Sequence, residues 1–76
     1  MNKEEDNRRD RTYSVLTYAY ATPSQVAGRL YAKDFDPHLK DVRKFRTEYQ
    51  LDQLVKDGRA EVREIGTLRL YRRKGI

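Results

Sequence analysis

Apolar positions recur at helical spacing between Asp41 and Gly58, and the rest of the chain is organised around that stretch. At 3.6 residues per turn, Thr47, Leu51, Leu54 and Val55 share one face, and Arg46, Tyr49, Gln50 and Gln53 fall on or near the opposite one. The first set can anchor in a core. Val42 and Phe45 point roughly opposite to the leucines, so one straight helix from Pro37 to Val55 could not bury both sets against the same neighbours. The pattern therefore predicts a break or bend near residues 40 to 44 and a packed Phe45, with an exposed Phe45 as the alternative.

Upstream, Thr22-Pro23-Ser24-Gln25 is a helix start. Thr22 can accept from the amide of Gln25, Gln25 can reach back to the amide of Thr22, and Pro23 occupies a first-turn position where a missing N–H costs nothing. This helix is expected to run through Val26, Ala27 and Leu30 to about Tyr31. An earlier helix is expected from about Thr12 to Tyr20, capped by Asp10 or Thr12, with Val15, Leu16 and Ala19 as its apolar stripe and Tyr18 exposed. Asp36-Pro37 predicts a single helical turn through Leu39. Gly58 reads as the left-handed residue that closes the long helix.

After Gly58 the period changes to alternation. Ala60 and Val62 alternate with charged residues, Glu64 to Thr67 forms a turn, and Leu68 and Leu70 alternate with Arg69 and Tyr71, which predicts a hairpin whose leucines lie against the helices. The first stretch, Met1 to Asp10, has mixed charge and no apolar period. Residues 1–11 are therefore expected to be a disordered charged tail, residues 12–74 one domain, and residues 75–76 the C-terminal end. Arg8, Arg9 and Arg11 suggest a basic arm on phosphate, but Glu4, Glu5 and Asp6 dilute it, so a solvating tail is the expectation carried forward.

Composition limits what such a domain can be. A chain of 76 residues buries only about 60% of its unfolded surface, so no large pocket and no small-molecule ligand are expected. There is no cysteine and His38 is the single histidine, so neither a Cys–His dyad nor a His/Cys metal cage can be built, and no catalytic residue, metal or cofactor is expected. No apolar run has membrane-span length and the first residues are charged, which makes the expectation a cytoplasmic, nucleoid-associated protein with no membrane partner. The net charge of +5 is uneven: residues 1 to 40 hold seven basic and six acidic side chains, residues 41 to 76 ten and six. A basic excess on one part of a small domain is the footprint of a polyanion partner.

Helix, capped helix, helix with a polar outer face, basic hairpin: on this order the sequence resembles the winged helix-turn-helix family of DNA-binding domains. The resemblance rests on Val15-Leu16 to Ala19, on Thr22 to Leu30, and on Leu51-x-x-Leu54-Val55-Lys56-Asp57-Gly58 leading into the hairpin. It implies a small α+β fold of three helices packed with a C-terminal two-stranded wing. It also implies a double-stranded DNA partner, a role in transcription regulation, and a possible homodimer. The connection from Leu30 to Phe45 is longer than a simple helix-turn-helix allows, which leaves open where the reading helix begins. By this resemblance Arg46, Tyr49, Gln50 and, deeper along the helix, Gln53 face the major groove. Arg43 and Lys44 hold phosphates, Arg63, Thr67 and Arg69 follow the backbone or minor groove, and Thr22, Ser24 and Gln25 offer a phosphate contact at a helix N-terminus. A protein-binding adaptor or inhibitor is the alternative, with exposed tyrosines and Phe45 as anchors, and RNA binding, with Tyr49 and Tyr71 stacking on bases, is a third.

Overall fold

The capping box forms as the sequence demands. Thr22 Oγ1 accepts from Gln25 N at 3.2 Å, and Gln25 Oε1 accepts from Thr22 N at 2.9 Å. In the computed structural model, which describes residues 3–34 and 36–75, the elements are α1 (Lys3–Val15), α2 (Pro23–Leu30), a 3-10 turn (Pro37–Leu39), α3 (Lys40–Lys56), β1 (Ala60–Ile65) and β2 (Leu68–Arg73). The architecture is α+β, three α-helices followed by a two-stranded antiparallel hairpin. Met1 and Asn2 of the expected tail, and Ile76 of the expected C-terminal end, lie outside the described residues.

The expected tail is helical instead, and the first helix begins nine residues before the expected Thr12 and ends at Val15. Its first turn carries Glu4, Glu5 and Asp6, which favour the positive end of the helix dipole. It docks through polar groups: Arg9 reaches Gln50 Oε1 at 3.3 Å and Asp57 Oδ2 at 3.4 Å, Arg59 meets Asp10 at 3.3 Å, and Thr12 is buried. Polar docking leaves no hydrophobic period, which is why the pattern pointed to a tail. The chain then leaves the helix, burying Leu16 and exposing Ala19 and Tyr18, and runs beside β2. Ala21 and Tyr71 exchange backbone hydrogen bonds of 2.9 and 2.8 Å, and Arg73 N donates to Thr17 O at 2.8 Å, so the outer edge of β2 is covered.

The break between Pro37 and Val55 falls at the start of the expected window: the 3-10 turn Pro37–Leu39 gives way at the non-helical Leu39 to α3, which is continuous from Lys40 to Lys56. Thr47, Gln50, Leu51 and Leu54 are its buried residues, and the Val42–Phe45 side is left in solvent with Phe45 67% exposed. The conflict between the two apolar sets is resolved by abandoning one of them. Gly58, at φ 76°, closes α3 as expected: Gly58 N donates to Val55 O and Arg59 N to Leu54 O, which satisfies the last carbonyls.

Hairpin register pairs Ile65 with Leu68 around a two-residue turn whose first residue, Gly66, has φ 61°. The face turned to the helices is the opposite of the expected one on β2. Tyr71 is fully buried and Leu68 is 56% exposed, while Ala60 and Val62 pack inward on β1 as expected. Tyr71 lies opposite Val62, and the wider ring fills the space between hairpin and α3 that the leucines were expected to fill. Leu16, Ala21, Val26, Leu51, Leu54, Ala60 and Tyr71 form the core.

Around that core, arginines stack on tyrosines. Arg59 and Arg73 lie over Tyr13 at 4.2 and 4.4 Å, Arg43 over Tyr31 at 4.4 Å, and Arg72 over Tyr20 at 4.6 Å. These contacts join α1 to the hairpin and to Arg59, and the end of α2 to α3, in a chain that has no disulfide.

Candidate nucleic-acid interface

The register of α3 is the foundation of the site. Leu51 and Leu54 are fully buried, and with them inside, Arg46 and Tyr49 project outward, Tyr49 being 49% exposed. Lys44 and Arg46 form no ion pair or hydrogen bond among the described residues, so both cations are free to meet an anion.

Two surfaces flank the helix. On the hairpin side, Thr22 and Ser24 from the start of α2, Lys44 and Glu48 from α3, and Thr67 and Arg69 from the hairpin line one groove. On the α1 side, Arg46, Tyr49 and Gln50 share a depression with Glu5, Arg8 and Phe45. The expected site residues are therefore divided by the crest of α3, where Val42, Phe45 and Tyr49 stand exposed. Arg63 is exposed on the outer face of β1, opposite Leu70, and lines neither surface.

Several expected contacts are already engaged within the fold. Gln50 is only 4% exposed and its amide oxygen accepts from Arg9, so it does not present an edge to a base. It lies three residues after Thr47 and four before Leu54 and thus belongs to the buried stripe, a placement hidden by the polar helix that covers it. Arg43 donates to the backbone and side-chain oxygens of Asp34 and stacks on Tyr31, and its side chain is 12% exposed. It ties the loop after α2 to α3 and is not free to hold phosphate. Arg69 meets Glu64 at 3.3 Å and Asp52 at 3.7 Å, which neutralises much of its charge. Gln53 is half-buried. The side-chain oxygens of Thr22 and Gln25 accept within the capping box, and Ser24 lies exposed beside Lys44.

Tyr71, a base-stacking residue under the RNA alternative, is inside. Its hydroxyl donates to Asp52 Oδ1 at 2.6 Å, and burial followed by that hydrogen bond holds its pKa well above the usual tyrosine value. Arg8 and Arg11, set aside with the tail, sit three apart on one face of α1 and line a depression with Arg46. Their spacing was the available signal. Among the described residues no group of three or more His, Cys, Asp or Glu is placed to hold a metal ion, and no helix is long and apolar enough to cross a membrane.

Compared with known proteins, the chain matches no family model, no curated sequence and no solved structure.

Proposed function

We propose that this is a winged-helix domain that binds double-stranded DNA and regulates transcription, with α3 in the major groove and the hairpin on the backbone beside it. The observation that carries this reading is the convergence of three elements on one groove: the start of α2 (Ser24), the unpaired Lys44 of α3, and Thr67 of the hairpin turn. A helix inserted between two flanking elements that grip the backbone is the geometry by which such domains hold a duplex. The roles differ in part from those expected from sequence alone. Lys44 keeps the phosphate contact expected of it while Arg43 gives up its own, Ser24 and Thr67 follow the backbone as expected, and Phe45 joins Tyr49 on the crest of α3 in meeting base edges, offering the apolar contact that a thymine methyl accepts. Two copies on a palindromic site would complete the reading.

A specific feature favours a second reading, an adaptor that binds another protein. Val42, Phe45 and Tyr49 on α3, with Ile65 and Leu68 at the hairpin turn, are large apolar side chains in solvent. Anisotropy of a labelled random duplex at low salt separates the two. Micromolar binding that weakens steeply with salt supports DNA, whereas no binding at micromolar protein favours the adaptor.

A further inference from the structure

The depression between α1 and α3 is built unlike the rest of the surface. Arg8 and Arg11 from α1 and Arg46 from α3 line it together with Thr47, Gln50 and Tyr31, and no carboxylate is among the residues that line it. Arg11 and Arg46 have no partner among the described residues. Arg8 has one, Glu4 at 3.9 Å, an exposed pair within one helix of the kind that contributes little. Glu5 lines the adjoining depression and forms no ion pair with any of the three. At the floor, Gln50 is 4% exposed; its amide oxygen accepts from Arg9, and its amide nitrogen, which has no hydrogen-bond partner among the described residues, is open to the depression. Three like charges lining one depression repel one another unless an anion joins them.

We infer that this depression binds a phosphoryl group: the Arg8, Arg11 and Arg46 guanidinium groups supply the charge and forked donors, and the Gln50 amide nitrogen supplies a neutral donor beneath them. Guanidinium groups suit a tetrahedral oxyanion because two N–H groups of one fork can meet two oxygens. Inorganic phosphate and a nucleic-acid backbone carry the same chemistry. The second source rests on the DNA reading above, under which α1 adds a backbone contact on the side of α3 away from the hairpin; the first does not.

The test is an amide and side-chain NMR titration of the full chain with inorganic phosphate, against chloride at matched ionic strength, and then with a random duplex. Saturable movement of the Gln50 side-chain amide by phosphate and not by chloride is expected. Arg11→Gln and Arg46→Gln should each weaken it about tenfold, the value of one charge-assisted hydrogen bond, with the fold intact by circular dichroism. Arg63→Gln, outside the depression, should leave it unchanged. A Gln50 signal that moves with phosphate but not with duplex supports a site for a free anion, and only if Lys44 and Thr67 are also unmoved by duplex does the result count against the DNA reading. Duplex binding that moves Lys44 and Thr67 while Gln50 responds to neither ligand overturns this inference and spares that reading. Equal response to phosphate and chloride, or phosphate binding untouched by both arginine variants, also overturns it.

Discussion

Tyr71 at the centre of β2 and Asp52 on α3 are joined by a 2.6 Å hydrogen bond from the phenol to the carboxylate. The tyrosine ring is fully buried and Asp52 is half-buried, so the bond fixes the hairpin against α3 at the edge of the core. Arg69 lies 3.7 Å from the same carboxylate, which makes Asp52 the point where strand and helix meet.

Tyr71→Phe keeps the ring and removes this tie. A hydrogen bond to a charged partner contributes about 1.5–3 kcal/mol, and the remaining water access and Arg69 soften its loss, so a destabilisation of about 1–2 kcal/mol is expected. Urea unfolding should show a lower midpoint with an unchanged slope.

The same tyrosine makes the fold sensitive to alkali. Its folded pKa is raised by burial and by Asp52, whereas the unfolded chain releases the proton near the ordinary value of about 10. The unfolded state therefore binds fewer protons above that pH. Stability is fully present below about pH 10 and falls as pH rises beyond it, by up to about 1.4 kcal/mol per unit from this group. Unfolding midpoints measured from pH 8 to 11 should fall for the natural chain and fall less for Tyr71→Phe.

Arg9→Ala tests whether α1 belongs to the folded domain. It leaves the nearly buried Gln50 oxygen without its donor and breaks the contact to Asp57, for an expected cost of about 1–3 kcal/mol. A disordered tail would give no change in the urea midpoint.

Duplex binding separates the roles on α3. Lys44→Ala should weaken all sequences alike and reduce the salt slope by about one, as loss of a single phosphate contact does. Phe45→Ala should change stability by less than about 0.5 kcal/mol, since the ring is 67% exposed, yet cost about 1–3 kcal/mol at one or two thymine-bearing positions. Competition anisotropy with single-base variants of a selected site reads both. A core phenylalanine would instead unfold the domain by about 3–5 kcal/mol on truncation.

What the sequence determined by itself was whatever depends on near neighbours. The Thr22–Gln25 box, the Gly58 closure, the Gly66 turn and the inward Leu51 and Leu54 each follow from a local spacing or a backbone preference, and each is found in the structure. Only the tertiary structure decided which polar groups meet across the fold. Arg9 reaches 41 residues along the chain to Gln50, and in doing so turns an apparent tail into a helix and an apparent base-reading residue into a buried one. Arg43 is taken by Asp34 and Tyr31, and Tyr71 displaces the leucines because Asp52 waits for its hydroxyl. Hydrophobic period records how an element faces a core. It carries no trace of an interface made from hydrogen bonds and stacked cations, and in a domain this small such contacts settle which side chains remain free.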